Sequence, residues 1–470
     1  MKVAAASPFK GNSSLKPFDN PNISKRDFLK FGAGTLISFL GLPFELHSPD
    51  VSVEDFLAPA DDIVLGPSVL FSGPRPFNPA PLNLNLDYEA VRVGRKQYPI
   101  IWVFLGGGLS HLDTFCINPD APQGIRSFYS PINTRFEGIK ICEKLPLTAR
   151  LIHQTALLRN IYHNQGGSHD LAAQRIFSSS EDQIGNKPKY TPYVVRLQRH
   201  YGPNKLGYTM FDVSGSHYEA VAPGEALKIK RHFYGSQIDD DVDIPYRLGV
   251  EGNFDGARHE QRMGLANVVD RTKNLNHPQI DRMNQYYITA NSVLAGRISN
   301  VFDLSKVDAR IRDEYGRTAI GNAALVAKRM IEAGAPQILL KHSWWDSHNR
   351  IKIDLDKHLP PLDLALSALI KDLKDSAIVV VLSEFGRTPR INEYEGRDHW
   401  SDSSCMLIAG PTISPCVTGK IDNGGHIFGP DGKYQAEYLG PTVLKAAGIE
   451  LVDKNNPENK MPYYPIFKTP

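Results

Sequence analysis

Five short stretches are apolar at almost every position: 98–105 (YPIIWVFL), 155–162 (TALLRNIY), 336–341 (PQILLK), 377–383 (AIVVVLS) and 405–410 (CMLIAG). A strand with one wet face alternates apolar and polar residues. Runs without alternation fit strands buried on both faces, the situation found in parallel sheets. Between them lie segments whose apolar residues recur at three and four positions: 168–179, 191–201, 321–335 and 361–375. That spacing predicts helices, and the third closes at Gly334, a helix-ending residue. Strand alternating with helix predicts an α/β fold: a doubly wound, mainly parallel sheet with helices on both faces.

The rhythm fails in two places. Residues 205–300 are polar and read as an insertion beside the sheet, a candidate cap over a site. Their acidic run, Asp239-Asp240-Asp241, lacks the spacing of a calcium loop and fits a solvated turn better. Residues 48–97 are rich in proline and read as an extended arm or linker. Ahead of them, Lys25-Arg26 precedes a moderately apolar run from Phe31 to Phe44. A basic pair before an apolar stretch resembles a twin-arginine export signal with Lys in the first position, so 1–47 is read as an export signal. The other reading is an amphipathic helix of the mature protein. The α/β region then spans 98–470.

Composition narrows the function. The 470 residues carry a formal charge of +2, with 41% hydrophobic and 22% charged residues. A nucleic-acid surface needs a clustered basic excess, and none is visible. The four cysteines, Cys116, Cys142, Cys405 and Cys416, form no C-x-x-C pair, which argues against a zinc ribbon. No G-x-S-x-G elbow is present, and GGGLSH lacks the dinucleotide-binding glycine spacing.

The chemistry sits directly after the strands. Ser110, His111 and Asp113 follow the first run; His163, Ser168, His169 and Asp170 follow the second. Asp346 and His348 follow the third. Glu384 and Arg387 follow the fourth, and then come Arg397, Asp398 and His399. In an open α/β sheet, parallel strands end along one edge, where ligands bind. If the strands are parallel, these clusters converge. Carboxylates and imidazoles in that number suit divalent metal, and two ions rather than one. Zn²⁺, Mn²⁺, Mg²⁺ and Ca²⁺ are not distinguished. Each cluster alone also has a plainer reading: Ser168 is a good helix cap, and Asp398-His399 a good structural pair.

The segments GGGLSHLDTFCINPDAP, RNIYHNQGGSHD, FDLSKVDARIRDEYGRTAIGNAALVAKRMIEAGA, WWDSH, SEFGRTP and GRDHW resemble the exported bacterial family called domain of unknown function 1501. That family is placed in the alkaline phosphatase–sulfatase superfamily. The resemblance runs from about residue 98 to the C-terminus, weakly through the insertion. It implies an alkaline phosphatase-like fold with a two-metal site that hydrolyses phosphate or sulfate esters. By position it implies Asp113, Asp346, His348, Glu384, Asp398 and His399 around the metal. It places the nucleophile near Ser168, at a helix N-terminus. The superfamily's Asp-His pair is here Glu384-Phe385, so one imidazole is missing unless His111, His163 or His169 replaces it. The sulfatase signature C/S-x-P-x-R is absent.

The sequence therefore supports an exported, metal-dependent hydrolase acting on a small-molecule or polysaccharide ester. Arg387 or Arg397 would steady the anion, with the export machinery as a partner and no nucleic acid. Arg387 equally fits a structural pair with Glu384. The alternative is an exported, non-catalytic scaffold or carbohydrate-associated binding protein that keeps a degenerate or structural metal site.

Overall fold

The computed structural model describes residues 88–92, 96–178, 183–184, 187–188, 209–212, 227–229, 261, 301, 303–428, 432–458, 460 and 463–468. The segments read as an export signal, as the acidic run and as a helix at 191–201 lie outside these residues.

All five apolar runs are strands. In chain order the main elements are β1 (Tyr88–Arg92), β2 (Ile100–Leu105), β3 (Ala156–Tyr162), α1 (His169–Ser178), β4 (Thr209–Asp212) and β5 (Leu227–Ile229). There follow α2 (Ala309–Tyr315), α3 (Ala319–Glu332), β6 (Gln337–His342), α4 (Ile351–Leu373) and β7 (Ile378–Leu382). The last are β8 (Gly386–Arg387), β9 (His399–Trp400), β10 (Ser404–Ala409), β11 (Cys416–Thr418), β12 (Tyr434–Gln435), α5 (Leu439–Ala446) and β13 (Ile449–Asp453).

The main sheet has the order β11-β3-β10-β7-β2-β6-β4-β5, with β12 also on β3. Its pairings are parallel except those of β10, which runs against both β7 and β3. The 405–410 run thus belongs to a mixed sheet. Burial on both faces, which its composition reports, is independent of direction. The insertion is corrected in part: β4 and β5 lie within 205–300 yet extend the sheet, parallel, beyond β6. Within the proline-rich arm, β1 pairs antiparallel with β13.

Every residue of β2, β6, β7 and β10 is buried. Side chains alternate between the faces. Ile100, Trp102 and Phe104 join Ile378 and Val380 in a cluster that includes Ala173 and Phe177 of α1 and Val443 and Leu444 of α5. Trp102 and Phe104 both meet Phe177 edge-on, at 5.6 and 5.5 Å between ring centres. On the other face α3 and α4 pack on each other and on β6 and β7. Helix α3 starts where the Thr318 side chain accepts the Gly321 N–H (3.2 Å), and Gly334 follows its end with φ +96°. Helix α4 begins ten residues before the expected 361 and carries Pro360 and Pro361 inside it. Its buried Leu355, Leu359 and Leu362 hold the helix through the prolines, a case of packing outweighing local preference.

Candidate metal centre

Strands β2, β6 and β7 are directly parallel, and β3 shares their direction through two antiparallel steps across β10. Their carboxyl ends therefore share one edge. His169, at the start of α1 after β3, meets Asp346 after β6: its Nε2 is 3.3 Å from Asp346 Oδ2. His348 Nε2 lies 3.1 Å from Asp346 Oδ1, and His399 Nε2 lies 3.4 Å from the same oxygen. His348 and His399 approach at 2.9 Å, Nε2 to Nε2. His169, Asp346 and His399 each offer a ligand atom within 4.8 Å of the others, so together they can hold a metal ion.

Around this group stands a layer of partners. The His169 Nδ1–H donates to Glu384 Oε1 at 2.6 Å. Glu384 is fully buried, and it also accepts the Gly107 N–H (2.6 Å) and faces the Ser383 hydroxyl (3.0 Å). His348 Nδ1 meets Asp398 Oδ1 at 2.8 Å. Asn392 donates to the His348 carbonyl (2.9 Å) and to Asp398 Oδ1 (3.3 Å). Arg387, fully buried, donates to Asp346 Oδ1 (2.5 Å), Gly108 O (2.9 Å), Arg397 O (2.9 Å) and Gly107 O. The Phe385 ring lies on His169 (4.9 Å) and His399 (4.6 Å).

The electrostatics follow from these contacts. Burial alone would raise the Asp346 carboxyl, but hydrogen bonds from His169, His348, His399 and Arg387 hold it well below the carboxylate range. Burial disfavours charge on His169, yet bonds to Asp346 and Glu384 push it up to about 9. The Asp346 carboxylate raises His348 against burial, and burial lowers His399.

Three residues expected at the site stand elsewhere. Asp113 and Arg397 are both fully buried and form an ion pair, with Nε 2.7 Å and Nη2 3.3 Å from the two carboxylate oxygens. Arg397 also donates to the carbonyls of Thr388 (3.1 Å), Ile125 (2.8 Å) and Pro389. Asp113 therefore carries a structural ion pair instead of facing Asp346, and Arg397 has no surface for a substrate anion. His163 takes the Gln165 N–H on Nδ1 (3.0 Å) and donates Nε2–H to the Glu384 carbonyl (2.5 Å), so both ring nitrogens serve the backbone. Arg387 is likewise buried beneath Asp346. Ser168 precedes His169; its carbonyl accepts from Ala172, and its hydroxyl sits 3.5 Å from the Leu171 N–H in a capping position.

Gly107, Ser383 and Asn392 did not emerge from residue chemistry. Gly107 left a trace: it has φ +110°, and a Cβ there would sit 2.5 Å from the Asp346 nitrogen. Ser383 faces its neighbour Glu384, and Asn392 reaches His348 and Asp398, contacts that no motif marks.

The family model described as "Protein of unknown function (DUF1501)" matches residues 97–451. The chain belongs to the DUF1501 family. No curated protein matches it. Among solved structures, this DUF1501 chain is similar to a protein in the alkaline phosphatase superfamily from Vibrio parahaemolyticus: 10% identity over 79% of this chain and 71% of that one, TM-score 0.35. It is similar to the zinc complex of the C-terminal periplasmic domain of EcEptC from Escherichia coli: 9% identity, 82% and 91% covered, TM-score 0.39. It is also similar to PsFucS1 sulfatase from Pseudoalteromonas sp.: 12% identity, 76% and 68% covered, TM-score 0.32. These are remote likenesses.

Proposed function

We propose that this DUF1501 protein is an exported, metal-dependent hydrolase of phosphate or sulfate esters. The observation that carries the reading is the convergence of His169, Asp346 and His399, from segments that follow three different strands, on one point at the carboxyl edge of the sheet. Imidazole with carboxylate is the donor set of a borderline divalent ion such as Zn²⁺. When bound, such an ion supplies Lewis-acid polarisation of an ester oxygen.

The chain's own residues do the rest. Arg387 keeps Asp346 ionised and fixes its orientation from below. Beside His348 and Asp398 opens a groove of about 710 Å³, lined also by Thr388, Arg390, Asn392 and Tyr394. Arg390 is exposed there and suits an anionic substrate group, and Tyr394, 64% exposed, gives a flat apolar face to the rest of the molecule. Ser168, next to His169 at the head of α1, is a hydroxyl close in sequence to the centre.

The test is metal analysis of the purified protein with a panel of p-nitrophenyl phosphate, bis-phosphate and sulfate esters, before and after chelation. Chelator-sensitive hydrolysis that is lost in His169→Ala and Asp346→Ala supports the proposal. Bound metal without hydrolysis of any ester would leave the non-catalytic scaffold as the correct reading. Absence of metal from protein that is folded and loaded with excess Zn²⁺ or Mn²⁺ would overturn the proposal entirely.

A further inference from the structure

We infer that the centre is built for one ion, held by His169, Asp346, His348 and His399, and that Glu384 and Asp398 are positioning residues rather than ligands. This rests on the metal-binding part of the reading above and changes its count and its roles.

The first argument is spacing. Bonds of about 2.0–2.1 Å to nitrogen and oxygen place tetrahedral ligand atoms about 3.3 Å apart. Asp346 Oδ1 lies 3.1 and 3.4 Å from the Nε2 atoms of His348 and His399, which are 2.9 Å apart, and Asp346 Oδ2 lies 3.3 Å from His169 Nε2. Asp346 Oδ1, His348 and His399 thus form one face of such a tetrahedron, and His169 approaches from the side of the second carboxylate oxygen. His348 is the member that spacing adds to the other three.

The second argument is the direction of the rings. All three histidines turn Nε2 toward Asp346. On His169 and His348 the opposite nitrogen, Nδ1, is taken by a carboxylate: Glu384 at 2.6 Å and Asp398 at 2.8 Å. A carboxylate on Nδ1–H fixes the tautomer, leaves the Nε2 lone pair outward and makes it more basic. Glu384 is oriented for that task. Its carboxylate is fully buried and held by Gly107, Ser383 and His169, whereas the side chains of Asp346 and His348 are 39% and 44% exposed. Glu384 lies behind His169, on the side away from Asp346.

The third argument is the wall. A second ion would need further donors on the His169–His399 side. That side is covered by the fully buried Phe385 ring, 4.9 and 4.6 Å from the two imidazoles. The two carboxylates that touch the histidines from outside, Glu384 and Asp398, are both taken up by Nδ1 atoms.

The experiment titrates full-length protein with Zn²⁺ by calorimetry and with Co²⁺ by visible absorption, for wild type, His348→Ala, Glu384→Gln and Asp398→Asn. Thermal melting confirms folding of each variant. Asp398 is exposed, so its variant keeps the test open if Glu384→Gln fails to fold. The expected result is one ion per chain with an intense, four-coordinate Co²⁺ band. His348→Ala should weaken binding by at least ~100-fold and change the band. Glu384→Gln and Asp398→Asn should weaken binding by about 10–100-fold while stoichiometry and band are retained. Two ions per chain would overturn the inference. So would a Glu384→Gln or Asp398→Asn variant with an altered Co²⁺ band, or a His348→Ala variant that binds as wild type. If these fail while chelator-sensitive hydrolysis persists, the hydrolase reading stands without the one-ion centre. If they hold and no ester is hydrolysed, the one-ion centre stands without the hydrolase.

Discussion

Asp113 offers a sharp division between a structural acid and a metal ligand. Replacing it with Ala leaves the Arg397 guanidinium buried and without its counter-charge, although carbonyls of Ile125, Thr388 and Pro389 still accept from it. Breaking one partner of a buried ion pair costs about 3–5 kcal/mol. At about 2.1 cal/mol/K per residue, the matched region of 97–451 has an unfolding entropy of about 0.7 kcal/mol/K. Asp113→Ala should then melt about 4–7 °C below wild type. Zn²⁺ affinity, measured well below the melting point, should stay within about threefold, because Asp113 touches none of the converging donors. The double variant Asp113→Leu with Arg397→Met should recover much of the loss, since no charge remains buried. The pH dependence has a definite sign. Burial would raise the Asp113 carboxyl, but Arg397 holds it below its usual value, so its stabilisation is present above the ordinary carboxylate range and is lost as pH falls through the folded value. Calorimetric melting paired with Zn²⁺ titration decides the matter. An unchanged melting temperature together with lost metal would refute the structural assignment.

Other outcomes are equally specific. Burial lowers His111 and His342 to about 3 and His358 to about 4, so the unfolded chain binds protons that the folded chain refuses. Stability should fall steadily as pH drops from about 6.5 toward 4, and urea midpoints that stay level across that range would contradict this. Gly107→Ala should cost about 1–3 kcal/mol from its backbone conformation alone and also weaken metal binding by displacing Asp346. Wild-type melting and affinity in that variant would disprove the role given to Gly107. A reporter fused after residue 47 should be exported, and replacing both Lys25 and Arg26 with Gln should retain it inside the cell; equal export of the two fusions, read by fractionation, would reject the signal.

Much of the fold could be read from local pattern because burial on both faces leaves unbroken apolar runs such as Ile378–Leu382. Direction leaves no such mark. Ser404–Ala409 is as apolar as its parallel neighbours, and its reversal depends on how the loop 383–403 returns from β7. At the site, His169, Asp346 and His348 are visible because they follow a strand or open the next helix, and His399 because it ends an Arg-Asp-His cluster in the loop after β7. Their division of labour is not. Whether an acid faces a metal or an arginine depends on partners far away in sequence. Asp113 finds Arg397 across most of the chain, and Glu384 finds His169 and Gly107 in the same way. The helix expected at 361–375 is there, but it starts earlier for a related reason: its leucines are held by other elements, so tertiary packing carries it back to Ile351.

The reversal of β10 has a wider consequence. Because β10 turns back against β7, the connection 383–403 leaves and re-enters the sheet at the same edge, without a crossover helix. It carries Glu384, Arg387, Asn392, Tyr394, Asp398 and His399 on one continuous segment with both feet on neighbouring strands. Such a segment is an exchangeable cassette. Its tip bears Arg390 and Tyr394 as side chains facing outward from a backbone fixed at Gly124, Arg350 and Ile351, so those two side chains can change while the strands beneath keep their register. On the proposed reading the tip sets which ester the groove accepts, and chimeras that trade it between family members test that.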